Sequence, residues 1–273
     1  MKSFRPLAML LGAVMLASCS DNNTMQVIDA PIAGSAVKFF NFGIGAPTVN
    51  FYANDQKVTA SSTTSCSDAV TGATTDATCL SAGKEATTGT GYGATANGAN
   101  GLYSSIAPGS VTLSGRITTT TNNGVAISNT ATTVADGKFY SYYLSGPYNS
   151  TTKTVDAFVV EDPLPAMDYV NANVRFVNAI SNSQPMTLYA KLQKTGVETA
   201  IGSTVAYKNA GAFVTLAPGI YDLITRVAGS STNVITRTDV SFAASRVYTV
   251  TAYGDITVTT GTNKPTLDNT ANR

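Results

Sequence analysis

One alternating pattern of apolar and polar residues occurs twice in the chain. The segment "AVKFFNFGIGAPTVNFYA" at 36–53 aligns without a gap with "NVRFVNAISNSQPMTLYA" at 173–190, an offset of 137 residues. Two further matches follow in the same order: 105–113 with 215–223, at an offset of 110, and 136–146 with 244–254, at an offset of 108. Three ordered matches indicate a duplicated module.

The falling offset locates an insertion in the first copy. The offset drops by 27 residues, from 137 to 110, between the first and second matches, so the additional residues lie within about 54–104. That segment is rich in Ser, Thr, Gly and Ala, and it contains both Cys66 and Cys79. In an oxidising compartment this pair would form a disulfide, with two free thiols as the alternative. We expect a tied surface loop, and a recognition loop is the alternative.

The local patterns predict an all-β fold. Short β-branched and apolar alternations, separated by turns such as Pro218-Gly219 and Gly254-Asp255, recur from 173 to 260, and no helical period extends over four turns. About seven such strands in roughly ninety residues are typical of an immunoglobulin-like antiparallel β-sandwich. We therefore predict two tandem sandwiches, with a closed barrel as the alternative. The predicted boundaries are 35–162 for the first domain, 163–171 for a linker, 172–260 for the second domain and 261–273 for a disordered tail.

The alternation also predicts which side chains face the core. In both copies valine and phenylalanine alternate with a basic residue, Lys38 in the first and Arg175 in the second. The inward set is Val37, Phe39, Val174 and Phe176. Tyr140 and Tyr248, each at the start of a strand after a polar corner, have the position of a tyrosine-corner residue.

The amino terminus resembles a lipoprotein signal peptide. A basic start precedes the apolar run Leu7–Ala17, which is about half the ~20 residues that a membrane-spanning helix needs. The run ends in "LASC", which resembles the bacterial lipobox, where the cysteine is acylated on sulfur and becomes the first residue after cleavage. We expect residues 1–18 to be removed and residues 19–34 to form a tether acylated at Cys19. The alternative is a soluble secreted protein.

The residue after the cysteine bears on localisation. In Gram-negative lipoproteins an aspartate there commonly signals inner-membrane retention, whereas this chain has Ser20, which favours the outer membrane. Without residues 1–18 the chain has 15 basic and 16 acidic side chains, because Lys2 and Arg5 are removed from 17. Near-neutral charge and the absence of a basic run give no sign of nucleic-acid binding. We expect a monomer that contacts the membrane through its lipid.

The repeated motifs resemble the DUF4397 domain, a module of unknown function in bacterial secreted and surface proteins. The segments that carry the resemblance are "VKFFNFGIGAPTVNFYAND", "IAPGSVTLSGR" and "VADGKFYSYYLSG", with their second-copy counterparts. The resemblance covers most of 35–260 in two copies and implies a fold but no activity. Asn41 and Asn178 stand where the family commonly has histidine, and Asn50 and Thr187 where it commonly has aspartate.

The side-chain inventory argues against an enzyme. The chain has no histidine, so a Ser/His/Asp relay is excluded, and neither a cofactor fingerprint nor a metal-ligand spacing is present. Glu161 and Asp162 are the only adjacent acids, and we interpret them as part of the connector between the domains. A glycosidase built on two carboxylates is the remaining catalytic alternative.

The aromatic segment "FYSYYLSGPY" suggests a binding surface. On a strand, Phe139 and Tyr143 share one face, and Tyr143 with Tyr148 could form an exposed platform for sugar rings or a partner protein. The competing interpretation is that this face packs against the other domain or the insertion. We predict a non-catalytic envelope protein that binds a glycan or protein partner, and the alternative is a structural spacer or adhesin-like stalk.

Overall fold

All regular structure in the described part of the chain is β. The computed structural model describes residues 34–59, 61–62, 84–85, 89–96 and 102–273. Every regular element in these ranges is a strand, which confirms the predicted all-β class. The strands form two modules, which we call the first module (34–162) and the second module (172–272). In the described residues no helix is long and apolar enough to cross a membrane.

The first module contains two sheets. Its strands are β1 (Ser35–Asn41), β2 (Val49–Ala53), β3 (Gln56–Lys57), β4 (Ser61–Ser62), β5 (Lys84–Glu85), β6 (Ala94–Thr95), β7 (Ser104–Ile106), β8 (Gly109–Ile117), β9 (Ala126–Val134), β10 (Phe139–Asn149) and β11 (Thr154–Glu161). One sheet has the order β11-β10-β1-β6, with β7 also paired to β1, and the other has the order β3-β2-β8-β9. The short strands β4 and β5 pair with each other.

The second module repeats this arrangement. Its strands are β12 (Ala172–Asn178), β13 (Met186–Leu192), β14 (Glu198–Val205), β15 (Val214–Leu216), β16 (Gly219–Val227), β17 (Ile235–Phe242), β18 (Val247–Tyr253) and β19 (Thr266–Ala271). The sheets have the orders β15-β12-β18-β19 and β14-β13-β16-β17. Strand for strand, these orders correspond to β7-β1-β10-β11 and β3-β2-β8-β9.

Each module contains one parallel strand pair. β1 runs parallel to β10 with Val37 opposite Tyr140, and β12 runs parallel to β18 with Val174 opposite Tyr248. These registers agree with the sequence offsets of 137 and 108. The expectation of purely antiparallel sheets is therefore wrong in this respect. The parallel partners are 103 residues apart in the first module, from Val37 to Tyr140, and 74 apart in the second, from Val174 to Tyr248, so no local turn pattern reveals them.

The predicted inward residues form the two sandwich cores. Val37 and Phe39 lie in the core of the first module, and Val174 and Phe176 in that of the second, all at most 1% exposed.

The two corner tyrosines, Tyr140 and Tyr248, make equivalent hydrogen bonds. The hydroxyl of Tyr140 accepts a hydrogen bond from the backbone N–H of residue 135 (3.0 Å), and that of Tyr248 accepts one from residue 243 (3.2 Å).

The carboxyl-terminal segment differs from the prediction. Residues 255–260, the end of the segment in which the sequence predicts strands, form turns and irregular structure, whereas 261–273, expected to be a disordered tail, contain β19. β19 pairs antiparallel with β18 along its whole length and completes the sheet as β11 does in the first module. Its only large apolar side chain, Leu267, is 1% exposed in the second core. One apolar residue gives no periodic signal, which explains the error.

Replacing Leu267 with alanine tests this assignment. We expect the variant to lose about 2–5 kcal/mol of unfolding free energy, because the deletion leaves a cavity in a closed core. Urea titration followed by circular dichroism measures the change. Thr259→Ala, at an exposed turn position, is the matched control and should change stability by less than about 0.5 kcal/mol. Equal effects of the two substitutions would contradict the assignment.

Candidate functional site

The two modules pack on each other through one sheet each. We call β7-β1-β10-β11 and β15-β12-β18-β19 the inner sheets. A third apolar cluster lies between them and is separate from both sandwich cores. Its buried members are Phe40, Phe42, Tyr143, Phe158, Val160, Val177 and Ala179. β1 and β12 are therefore covered on both faces, by a sandwich core on one side and by the other module on the second.

Aromatic rings form the centre of this interface. The Tyr143 ring stacks between Phe40 and Phe158, with centroid distances of 4.4 and 5.0 Å. Phe42 of the first module stacks on Tyr253 of the second at 4.2 Å. Such stacked pairs contribute roughly 0.5–1.5 kcal/mol each beyond the area that they bury. The contacts join strands of both inner sheets into one aromatic layer.

The contacts across the interface follow an approximate two-fold pattern. The hydroxyls of Tyr143 and Thr251, which occupy equivalent positions at the offset of 108, face each other at 3.4 Å. A second pair of contacts is also equivalent. Phe42 corresponds to Ala179 at the offset of 137, and Ser145 corresponds to Tyr253 at the offset of 108. Phe42 stacks on Tyr253, and Ala179 accepts a hydrogen bond from Ser145. A surface that contacts its own equivalent is self-complementary, as in a symmetric dimer.

This packing overturns the predicted aromatic platform. Tyr143 is fully buried in the interface, which was the competing interpretation of its face. Tyr148 is half-buried against the core of the first module, and Phe139 is half-buried edge-on to Tyr103 with the ring centroids 5.1 Å apart. Tyr148 follows Tyr143 by five residues, and such positions on a strand point to opposite faces. The three side chains therefore do not form one exposed surface.

Six polar side chains form a ring of contacts at one side of the same interface. We call this set the polar ring, and its members are Lys38, Tyr103, Asp162, Arg175, Thr249 and Asn272. The first three belong to the first module and the others to the second. The ring includes the two basic residues that alternate with the core positions of β1 and β12.

Arg175 and Asp162 form a buried ion pair within the polar ring. The two side chains are at most 1% exposed, and the guanidinium contacts the carboxylate directly. Arg175 also donates to the carbonyl of Glu161 at 2.9 Å and to Thr249 Oγ1 at 3.0 Å. The second oxygen of Asp162 accepts from the hydroxyls of Tyr103 (2.7 Å) and Ser141 (2.8 Å). Each charge therefore has the partners that burial requires.

Lys38 has neutral partners instead of a carboxylate. Its Nζ donates to the carbonyl of Ala271 at 2.8 Å and to Asn272 Oδ1 at 3.0 Å, and it lies 4.3 Å from the centroid of the Tyr103 ring. The side chain is fully buried. Asn272 in turn donates through Nδ2 to Thr249 Oγ1 at 2.6 Å, which closes the polar ring.

The electrostatics of the polar ring favour an uncharged Lys38. Burial lowers the pKa of Lys38 from 10.5 to about 7, the Asp162 and Asp268 carboxylates partly oppose this, and the nearby Arg175 charge acts in the same direction as burial. Burial and the Asp162 carboxylate raise the pKa of Tyr103, so that phenol remains protonated. Two cations and one carboxylate share the polar ring. A neutral amine at Lys38 leaves one balanced ion pair.

The polar ring was only partly visible in the sequence. The sequence predicts that Glu161 and Asp162 both belong to the connector, but only Glu161 is a surface residue, in a half-exposed ion pair with Lys138. Asp162 is 1% exposed and belongs to the interface, so its assignment to the connector is wrong. The available signal was the offset of 137, which pairs Lys38 with Arg175. Equivalent basic residues on strands with apolar neighbours on both faces indicate a second buried surface.

The two equivalent asparagines at the ends of β1 and β12, Asn41 and Asn178, have local structural contacts. Asn41 donates to the carbonyls of Pro47 and Thr90, at 3.1 and 2.9 Å. Asn178 donates to the carbonyl of Val205 at 3.3 Å and is fully buried. Asn41 thereby joins the loop after β1 to the segment at Thr90, and Asn178 bonds the end of β14.

Other predicted sites lie outside what the structure describes. Cys19, Cys66 and Cys79 are outside the described residues. Within the described ranges, no three His, Cys, Asp or Glu side chains come close enough together to hold a metal ion.

The fold and these contacts define a class of protein: two packed β-sandwich modules with a shared buried interface. Residues 172–272 match the family model of a domain of unknown function, DUF4397. A DUF4397 domain therefore comprises the whole second module, including β19, and extends past the boundary that the sequence predicted at residue 260. No protein of curated function matches the chain.

Removing the carboxylate of Asp162 tests the buried ion pair. We expect Asp162→Ala to cost about 3–5 kcal/mol of unfolding free energy, because Arg175 would stay buried without a counter-charge. Glu161→Ala is the matched control one residue away, and loss of its exposed pair with Lys138 should cost at most ~1 kcal/mol. Chemical denaturation of both variants gives the comparison. A cost for Asp162→Ala as small as that of the control would contradict the assignment.

Proposed function

We propose that this chain is a lipid-anchored protein of the bacterial cell envelope whose two modules act as one rigid, non-catalytic structural body. In this proposal the first module is a second, diverged copy of the DUF4397 domain. The support is the correspondence of the strand orders and of the two parallel registers, which follow the sequence offsets of 137 and 108.

The interface between the modules is the observation that carries the structural role. Both inner sheets are buried on their second face, and the aromatic layer and the Arg175–Asp162 pair connect them. Two domains on a flexible linker would leave these surfaces in water, which would expose apolar area and an ion pair. Two modules that do not move relative to each other suit a rigid spacer that projects from a membrane.

The sequence before the first module supports the anchor. The "LASC" motif at residues 16–19 resembles a lipobox, and about fifteen residues separate Cys19 from β1. Such a segment reaches at most ~50 Å when extended. Acyl chains hold a protein at a bilayer by burial of their CH₂ groups, and more than one chain makes anchoring stable. The proposed location is the outer membrane, and a Cys66–Cys79 disulfide would tie the insertion in that oxidising environment.

Cys19→Ser tests the anchor. We expect an unprocessed precursor without lipid, because the sulfur that accepts the diacylglyceryl group is missing. Mass spectrometry of the amino-terminal peptide and fractionation of membranes measure the two effects. Cys66→Ser is the control, since it removes a thiol and leaves the lipobox intact. Normal cleavage and membrane attachment of Cys19→Ser would refute the proposal.

A role in binding a protein partner is the second candidate. The connector between the modules exposes apolar side chains, with Tyr169 78% and Val170 71% exposed and Met167 nearby in sequence at 43%. Clustered exposed apolar groups are typical of protein contacts. If they bind a partner, Tyr169→Ser should abolish a defined cross-linked species in cells, and Ile220→Ser, at another exposed apolar site, should not. A purely structural role predicts the same cross-linking pattern for both variants and the wild type.

A further inference from the structure

We propose that Lys38 and Asn272 become joined by an intramolecular isopeptide bond, formed without an external reagent after the two modules have packed. The bond would link β1 of the first module to the residue that follows β19 of the second. This proposal does not depend on the lipid anchor or on the structural role proposed above.

The distances place the reacting groups together. Lys38 Nζ lies 3.0 Å from Asn272 Oδ1, and the amide carbon Cγ is one bond beyond that oxygen. The same nitrogen is held by the carbonyl of Ala271 at 2.8 Å. Fixing an amine against an amide in this way replaces a bimolecular encounter by a positioned one and raises the effective concentration by many orders of magnitude.

The surroundings make Lys38 a nucleophile. Only a neutral amine attacks an amide carbon, and burial lowers the pKa of Lys38 to about 7. No carboxylate among the described residues forms an ion pair with Lys38, whereas Arg175, at the equivalent position of the second module, has Asp162. The difference matters, because a direct ion pair would hold the amine in its unreactive charged form.

The reaction balances without an oxidant, reductant or co-substrate. The Lys38 Nζ lone pair attacks Cγ, the bond between Cγ and Nδ2 breaks, and a proton moves from Nζ to Nδ2. The products are a secondary amide and one molecule of ammonia. Thr249 Oγ1 accepts hydrogen bonds from Asn272 Nδ2 at 2.6 Å and from Arg175 Nε at 3.0 Å, which fixes the amide beside Lys38 Nζ, and the proton passes directly from Nζ to the leaving nitrogen.

Ammonia has a route out and bulk water has little access to the amine. Tyr103, Ala271 and Asn272 line a surface cavity of about 480 Å³, so the cavity borders the residue that would release ammonia. Lys38 itself is fully buried behind them. The nucleophile is thus kept from solvent while the product can leave.

The bond would close a loop over a sequence separation of 234 residues. Both modules lie inside that loop, so neither could detach from the other even if the contacts between the inner sheets opened. A cross-link across such a long loop also restricts the unfolded chain strongly. The chain would then resist unfolding by a force applied at its amino-terminal end, because β1 is fixed to the opposite end of the fold.

Peptide mapping of the purified full chain by mass spectrometry tests the proposal. We expect a branched peptide that contains both Lys38 and Asn272, lighter by one ammonia than the sum of its two linear parts. Trypsin should no longer cleave after Lys38, because the acylated side chain is not recognised. The bonded fraction of freshly folded chain should increase faster at pH values above 7 than below, since the attack needs the neutral amine.

Variants identify the reacting atoms. Lys38→Arg and Asn272→Ala should each abolish the branched peptide, and Lys138→Arg, at an exposed lysine, should leave it intact. If Lys38→Arg does not fold, Asn272→Ala suffices, because this half-buried side chain follows the last strand. Two linear peptides from the wild-type chain would overturn the proposal. So would loss of ammonia at Asn272 without a branch, which would instead indicate cyclisation onto the backbone.

Discussion

The constraint on which this molecule depends is that β1 and β12, each with one basic residue, are buried on both faces. Lys38 and Arg175 alternate with core residues, so they face away from the sandwich cores and, in an isolated module, would face water. Packing the inner sheets together removes both from solvent, which is favourable only with partners for the charges. Asp162 supplies the carboxylate for Arg175, and Lys38 has backbone and amide acceptors. The polar ring thus determines how the aromatic layer beside it can close.

The two modules bury a basic residue at equivalent positions, Lys38 and Arg175, but give it different hydrogen-bond partners. Arg175 has five fixed donors and suits a carboxylate, a carbonyl and a hydroxyl at once. Lys38 is a compact donor, and burial lowers the pKa of its amine so that it can become neutral. If both positions carried arginine, two guanidiniums would share one carboxylate. The difference between equivalent positions therefore follows from the need to balance charge across a nearly symmetric contact.

Much of the fold follows from patterns that are visible in the sequence. The spacing of valine and phenylalanine in "VKFF" and "VRFV" identifies the core face, and the structure places those side chains in the two cores. The offsets of the repeat anticipate which strands correspond. β19 could have been found in the same way, because β11 shifted by 108 residues falls at 262–269, inside the segment that was predicted to be disordered. The tail prediction rests on the polar composition of residues 261–273 and does not use the offset of 108.

The interface could not be derived from local patterns. A charged residue on a strand usually faces solvent, so Lys38 and Arg175, each taken alone, predict a solvated second face, and only their equivalence in the repeat indicates that it is buried. Asp162 stands between Glu161 and Pro163, and these three residue types are typical of a connector, although the Asp162 side chain is buried. The strand alternation assigns Tyr143 to the same face as Phe139. What covers that face depends on residues more than a hundred positions away, such as Thr251.

The position of Lys38 has a consequence for the order in which the chain can fold. Its acceptors are 233 and 234 residues further along, and the parallel neighbour of its strand is β10. β1 therefore reaches its final environment only after Ala271 and Asn272 have been synthesised. Contacts of such long sequence separation are slow to form. Until then β1 has its sheet neighbours β7 and β10, but its second face, with Lys38, lacks the second module that covers it.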